Sequence, residues 1–155
     1  MDSDRLNRWL TLAANVGVLI GIALLLVELN QNRDMMRAQI RNEMSSEIVG
    51  LLNDVAYSSE FASIYRRGED GEELDAVEQT QFNFRTYALF RYFENALYQH
   101  RQGLYDASEI ESQKVTWRRA MASKRVTDLW CVYREGVSEY ARSEIDQLLT
   151  YGKCD

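Results

Sequence analysis

Apolar and polar positions fall in blocks along this chain, and the first block is the most uniform. Residues 9–27, WLTLAANVGVLIGIALLLV, are nineteen in number and carry no charge. Eleven of them are Leu, Ile or Val. At 1.5 Å per residue a helix of that length spans about 28 Å, close to the ~30 Å hydrocarbon core of a bilayer. The pattern predicts a transmembrane helix. A core helix of a soluble fold would be shorter or carry a polar stripe. A secretory signal has an apolar region of about 7–15 residues and ends at a small-x-small site. This run ends Leu26-Val27-Glu28-Leu29-Asn30, with no such site. Residues 1–8 form a polar lead in which Ser3 or Asp4 is placed to cap the helix start. Trp9 sits where an interfacial aromatic belongs.

Beyond Val27 the pattern becomes amphipathic. Across residues 28–57 the apolar positions are Leu29, Met36, Ile40, Met44, Ile48, Leu51, Leu52 and Val55, one stripe of a helix. Leu29, Ile40 and Leu51 recur every eleven residues, a period that favours nearly straight or slightly right-handed association. With no proline in the chain and Gly50 the one glycine in this segment, the helix is expected to continue from the apolar run without a break.

Residues 58–155 read as a small helical domain. Ser58 or Ser59 caps a short helix whose apolar face is Phe61, Ile64 and Tyr65. The acidic segment GEDGEE at 68–73 lacks the alternating ligands of a calcium loop and reads as a surface loop. Asp75 and Glu78 form a capping box that opens the most aromatic stretch. There Phe82, Phe84, Tyr87, Phe90, Tyr92, Phe93, Leu97 and Tyr98 cover more than one face, which predicts a central, largely buried helix. Gly103 ends it in a left-handed cap. Asp106 and Glu109 form a second capping box, starting a helix through Ile110, Val115, Trp117 and Met121. A break at Ala122-Ser123 precedes Val126, Leu129, Trp130 and Tyr133, which run at helical spacing to Gly136. Ser138 caps a last helix through Tyr140, Ile145, Leu148 and Leu149. No period-two run suggests a strand. The expected class is all-α: one N-terminal transmembrane helix continuing into a long amphipathic helix, then a small helical bundle.

Charge removes one class of function. The net charge is −6, and residues 28–155 hold 16 basic against 22 acidic side chains, which argues against a nucleic-acid partner. Cys131 and Cys154 form no CxxC pair. They read as two reduced thiols in a cytosolic domain, or as one disulfide tying the tail if the domain lies outside. Arg33, Arg37 and Arg41 after the apolar run, against Arg5 and Arg8 before it, favour a cytoplasmic C-terminal domain under the positive-inside rule.

The apolar run, the stretch from Gln31 and Arg33 to Arg41, Tyr65-Arg66-Arg67-Gly68, Phe93-Glu94-Asn95 with Tyr98, and Gly103-Leu104 together give the chain a likeness. It resembles a family of small bacterial membrane-anchored helical proteins. The resemblance implies the architecture and a bacterial inner-membrane location, and implies no activity, catalytic residue or cofactor.

The candidate chemistry is sparse. Glu94 lies inside the aromatic helix, with Arg91 at i−3 and Tyr98 at i+4 on its face. One reading is a buried polar site of Arg91, Glu94 and Tyr98 in which Glu94 is a structural carboxylate satisfied by donors. The other is a membrane enzyme or ligand sensor with a small site around Glu94, Tyr98 and Trp130. His100, the single histidine, is six residues from Glu94 and about 120° away around a helix, unsuited to a shared metal. Met35, Met36 and Met44 read as packing residues rather than a copper site. Neither a metal nor another cofactor is expected, and no catalytic residue can be named.

The favoured function is an anchored interaction module that assembles with copies of itself. Ala13, Gly17 and Gly21 form a small-xxx-small row, which permits close backbone packing in lipid. Asn15 lies about 160° around the helix from that row. Two faces suit a ring, in which each subunit meets two neighbours. Met36, Ile40 and Met44 would extend the interface beyond the membrane. The expected partners are the bilayer, further copies of the chain or another membrane protein, and no nucleic acid.

Overall fold

The computed structural model describes residues 3–152 and 154. The described residues are almost entirely helical, with no strand among them. The helices are α1 (Ser3–Ala56), α2 (Ser59–Glu69), α3 (Ala76–Arg101), α4 (Ala107–Ala120), α5 (Lys124–Tyr133) and α6 (Glu139–Asp146), with a 3₁₀ turn at Arg134–Gly136 between the last two.

α1 is one helix of 54 residues, without a break at Asn30–Asn32. The polar lead is already helical from Ser3. Asp4 therefore stands in the first turn, where a carboxylate meets the positive end of the helix dipole, rather than outside it as a cap. Met1 and Asp2 lie outside the described residues. The chain divides into two compact units between Gln39 and Ile40. The first unit is the apolar helix. An 18-residue window of it has a mean hydropathy of 2.5 and no residue buried. By length and composition α1 is long and apolar enough to cross a membrane.

The second unit begins inside α1, at Ile40. Met44 is 2% exposed in the bundle core, and Ile40, Ile48 and Leu51 pack partly buried against it. α3 is the centre of this unit and touches α2, α4, α5 and α6. Its Phe82, Phe90, Tyr92, Phe93, Ala96 and Leu97 are fully buried. Phe93 stacks on Trp117 of α4 at 4.4 Å, and Phe90 meets Trp130 of α5 edge-on at 5.2 Å. The aromatic cover is less complete than the sequence implies: Phe84 is 69% and Tyr98 50% exposed. These two are fourteen residues apart, almost four whole turns, so they share the one stripe of α3 that the bundle leaves open.

Local signals set the helix ends. Ser58 caps α2 by accepting from the Phe61 N–H. Asp75 and Glu78 make the complete capping box of α3, and the Glu78 carboxylate is also paired with Arg67 of α2. α3 ends in a Schellman motif. Leu104 N–H donates to the Gln99 carbonyl and Gly103 N–H to that of His100, with Gly103 at φ 71°. At α4 the expected capping box takes another form. Asp106 accepts from the Ser108 N–H, while Glu109 is held by Arg41 of α1 at 2.9 Å. A carboxylate engaged by a guanidinium from another helix has a stronger partner than a backbone N–H of its own. Ser138 caps α6, which stops at Asp146, short of Leu148 and Leu149.

At Gly68 the Phe82 ring of α3 packs directly on the backbone of α2. A Cβ there would lie 2.4 Å from two ring carbons of Phe82. Cys131 and Cys154 form a disulfide across 5.3 Å between their Cα atoms, so of the two readings of these residues the tail-tying one is present.

Candidate functional site

Glu94 is placed by α3 at the start of α6. Its Oε1 accepts the Ser138 N–H at 2.9 Å, and its Oε2 is ion-paired with Arg91 one turn back. The carboxylate thus satisfies a donor at the cap of α6, a group that helix geometry leaves without an intrahelical partner. Tyr98 is not part of this arrangement. It faces outward, with the Arg101 guanidinium over its ring at 5.9 Å. Trp130 is fully buried elsewhere and donates from Nε1 to Asp146 at 2.8 Å. Arg91 and Glu94 are therefore brought together, whereas Glu94, Tyr98 and Trp130 are not. His100 sits with Nδ1 3.1 Å from the Tyr105 carbonyl. A carbonyl only accepts, so Nδ1 carries the proton. Among the described residues no group of three or more His, Cys, Asp or Glu side chains could hold a metal ion.

The expected assembly residues fall into two sets. Ala13, Asn15 and Gly17 lie on exposed α1, and Gly21 is half-exposed there. A Cβ added to Gly17 or Gly21 would meet nothing within 4 Å. Met36 is likewise exposed. Ile40 and Met44, expected on an outward face, instead turn toward the bundle. Of the apolar stripe over residues 40–55, Ile40, Met44, Ile48 and Leu51 pack on the core, whereas Leu52 is exposed.

The bundle also contains a cavity of about 350 Å³, at the lower end of the ~300–1,000 Å³ range of small-molecule sites. Ile48 and Leu52 of α1, Leu89 and Phe93 of α3, and Trp117 and Ala120 of α4 give it apolar walls. Its polar groups are few. The Tyr92 hydroxyl donates to Gln113 at 2.9 Å, and Gln113 in turn donates to the Tyr105 hydroxyl. Burial pushes the Tyr92 phenol up to about 12. Burial, reinforced by the charge of Glu69, does the same to Tyr65. Both phenols are therefore neutral donors at ordinary pH.

Arg85 is the charged member of the lining. It is 9% exposed. Its Nη2 donates to the Leu51 carbonyl at 2.7 Å, whereas Nε and Nη1 are buried without a hydrogen-bond partner. The Tyr65 ring lies 5.8 Å from the guanidinium carbon. Burial pulls the guanidinium below its usual pKa, with Tyr65, Asp54 and Glu69 acting in the opposite sense. Sequence reasoning passed over this residue. The signal was its register: Phe82, Arg85, Leu89 and Phe93 recur at three and four residues, which puts an arginine on the core stripe of an aromatic helix.

The chain is thus an all-α protein with one long N-terminal helix, apolar in its first part, and a small helical bundle that contains a partly open cavity. Comparison with protein-family models, with curated proteins and with solved structures finds no match.

Proposed function

We propose that the chain is a single-span protein of a bacterial inner membrane, an anchored helical module that assembles with copies of itself and has no catalytic role. The observation that carries this reading is the uncharged run at residues 9–27. Almost every side chain on it is exposed, and apolar surface of that extent is stable against lipid rather than water. The bacterial location rests on the resemblance alone. The small-residue row Ala13, Gly17 and Gly21 supports self-association, since its flank is open to a neighbouring backbone.

We further propose that the helical domain lies on the outer side of that membrane, against the cytoplasmic side that the flanking arginines favour. Disulfides persist in oxidising compartments and are rare in the cytosol. The Cys131–Cys154 bridge outweighs a margin of one arginine, which had favoured the cytoplasm. Native mass spectrometry in mild detergent tests the assembly. Wild type is expected as an oligomer, weakened strongly by Gly17→Leu with Gly21→Leu and less by Asn15→Leu. A wild-type monomer would remove the self-association reading. Release of the chain by alkaline carbonate would remove the membrane span.

A further inference from the structure

We propose that the cavity between α1, α2, α3 and α4 binds a medium-chain carboxylic acid, with the carboxylate on Arg85 and the alkyl chain against Leu89, Phe93 and Trp117. Two independent observations meet here. One is a partly open, largely apolar cavity within the second unit. The other is a nine-tenths-buried guanidinium in its wall, two of whose three nitrogens have no partner. A buried cation without a counter-ion is costly, and among the described residues no carboxylate forms an ion pair with Arg85. Asp54 and Glu69 act on it only through space. The ring of Tyr65 offers partial compensation.

An arginine held this way is poised for an anion, because guanidinium bonds to carboxylate strengthen as water is excluded. The walls select what the anion is attached to. Apart from Arg85, the tyrosine hydroxyls, Gln113 and Thr116, they are hydrocarbon and aromatic, unsuited to a sugar or a nucleotide. Size limits the chain. At about 30 Å³ per heavy atom, the volume share of a water molecule, 350 Å³ holds roughly a dozen heavy atoms, the size of a ten-carbon acid. The tail's transfer from water supplies affinity, and the head's bond to Arg85 supplies selection against neutral amphiphiles. The site lies wholly within the second unit, so the inference stands whether or not α1 crosses a bilayer.

The test uses the full chain in discs of neutral phosphatidylcholine and an ω-bromodecanoic acid, whose heavy atom quenches indole emission on contact. The methyl ester of that acid is the uncharged arm, and discs containing phosphatidylglycerol are the lipid-headgroup arm. Expected is saturable quenching by the acid, at concentrations at least tenfold below those for the ester, and largely abolished by Trp117→Phe. Arg85→Gln should weaken the acid at least tenfold and leave the ester unchanged. Without ligand, Arg85→Gln should melt no lower than wild type, since it removes an unpaired buried charge. Ala120→Leu fills the cavity with Arg85 in place, and should block quenching even if Arg85→Gln does not fold. Equal potency of acid and ester, quenching that never saturates, or full quenching of Ala120→Leu would each overturn the proposal. So would phosphatidylglycerol abolishing quenching by the acid, which would assign Arg85 to a lipid headgroup.

Discussion

Glu94 shows how one side chain on the central helix can define the entry of another helix. Its two oxygens serve different partners, the Ser138 N–H and Arg91. Glu94→Gln retains a carbonyl oxygen for the Ser138 N–H and loses the charge on Arg91. Glu94→Leu leaves that N–H without its acceptor, at a cost of about 1–3 kcal/mol. Chemical denaturation of the full chain in mild detergent should therefore place Gln between wild type and Leu. If the Gln and Leu variants unfold at the same midpoint, the hydrogen bond to Ser138 contributes nothing. Arg85 is the contrasting case, because its charge has no comparable protein partner.

Helix pairing in the bundle turns on side-chain size where two helices pack. α2 packs on α3 at Gly68, whose missing side chain is the space that the Phe82 ring occupies. Phe82 is fully buried, and a ring enclosed on all sides has no alternative rotamer to move into. Gly68→Ala would improve the intrinsic helix propensity of α2. Overpacking nevertheless costs about 1–3 kcal/mol, so the expected outcome is net destabilisation, relieved when Phe82→Leu is added. A Gly68→Ala variant as stable as wild type would mean that the two helices separate freely. The same packing explains why α2 continues through a glycine. The turn comes later, at Gly71 with φ 77°.

Across the whole molecule, α1 belongs to both compact units. Residues 3–39 bury almost nothing in this chain, while residues 40–56 contribute Met44 to the core, with Ile40, Ile48 and Leu51 packed against it. The disulfide acts at this scale too. It links α5 to the tail after α6 over 23 residues, a loop whose closure entropy is worth about 3 kcal/mol in the unfolded chain. Cys131→Ser with Cys154→Ser should lose roughly that stability, and dithiothreitol should produce the same loss in wild type and none in the double variant. An unfolding midpoint insensitive to both would show that the bridge does not form, and the outward orientation of the domain would lose its support.

What the sequence determined by itself is what depends on neighbours within about one helical turn. Ser58, Asp75 and Ser138 start helices because a side-chain oxygen reaches an N–H two or three residues ahead, and Gly103 ends one because its backbone tolerates positive φ. The uncharged run and the absence of strands are legible for the same reason, as properties of composition and period. The tertiary structure decided what depends on partners far along the chain. Met44 lies inward because Asn95 and its neighbours on α3 meet it 51 residues later. Glu109 leaves its expected cap for Arg41, which the sequence places 68 positions earlier. Cys131 reaches Cys154 because α6 returns the chain. Arg85 is visible in the sequence as an arginine on an apolar stripe. That it lines a cavity without a counter-ion follows from where α1, α2 and α4 stop, and periodicity along one helix carries no information about the distance to another.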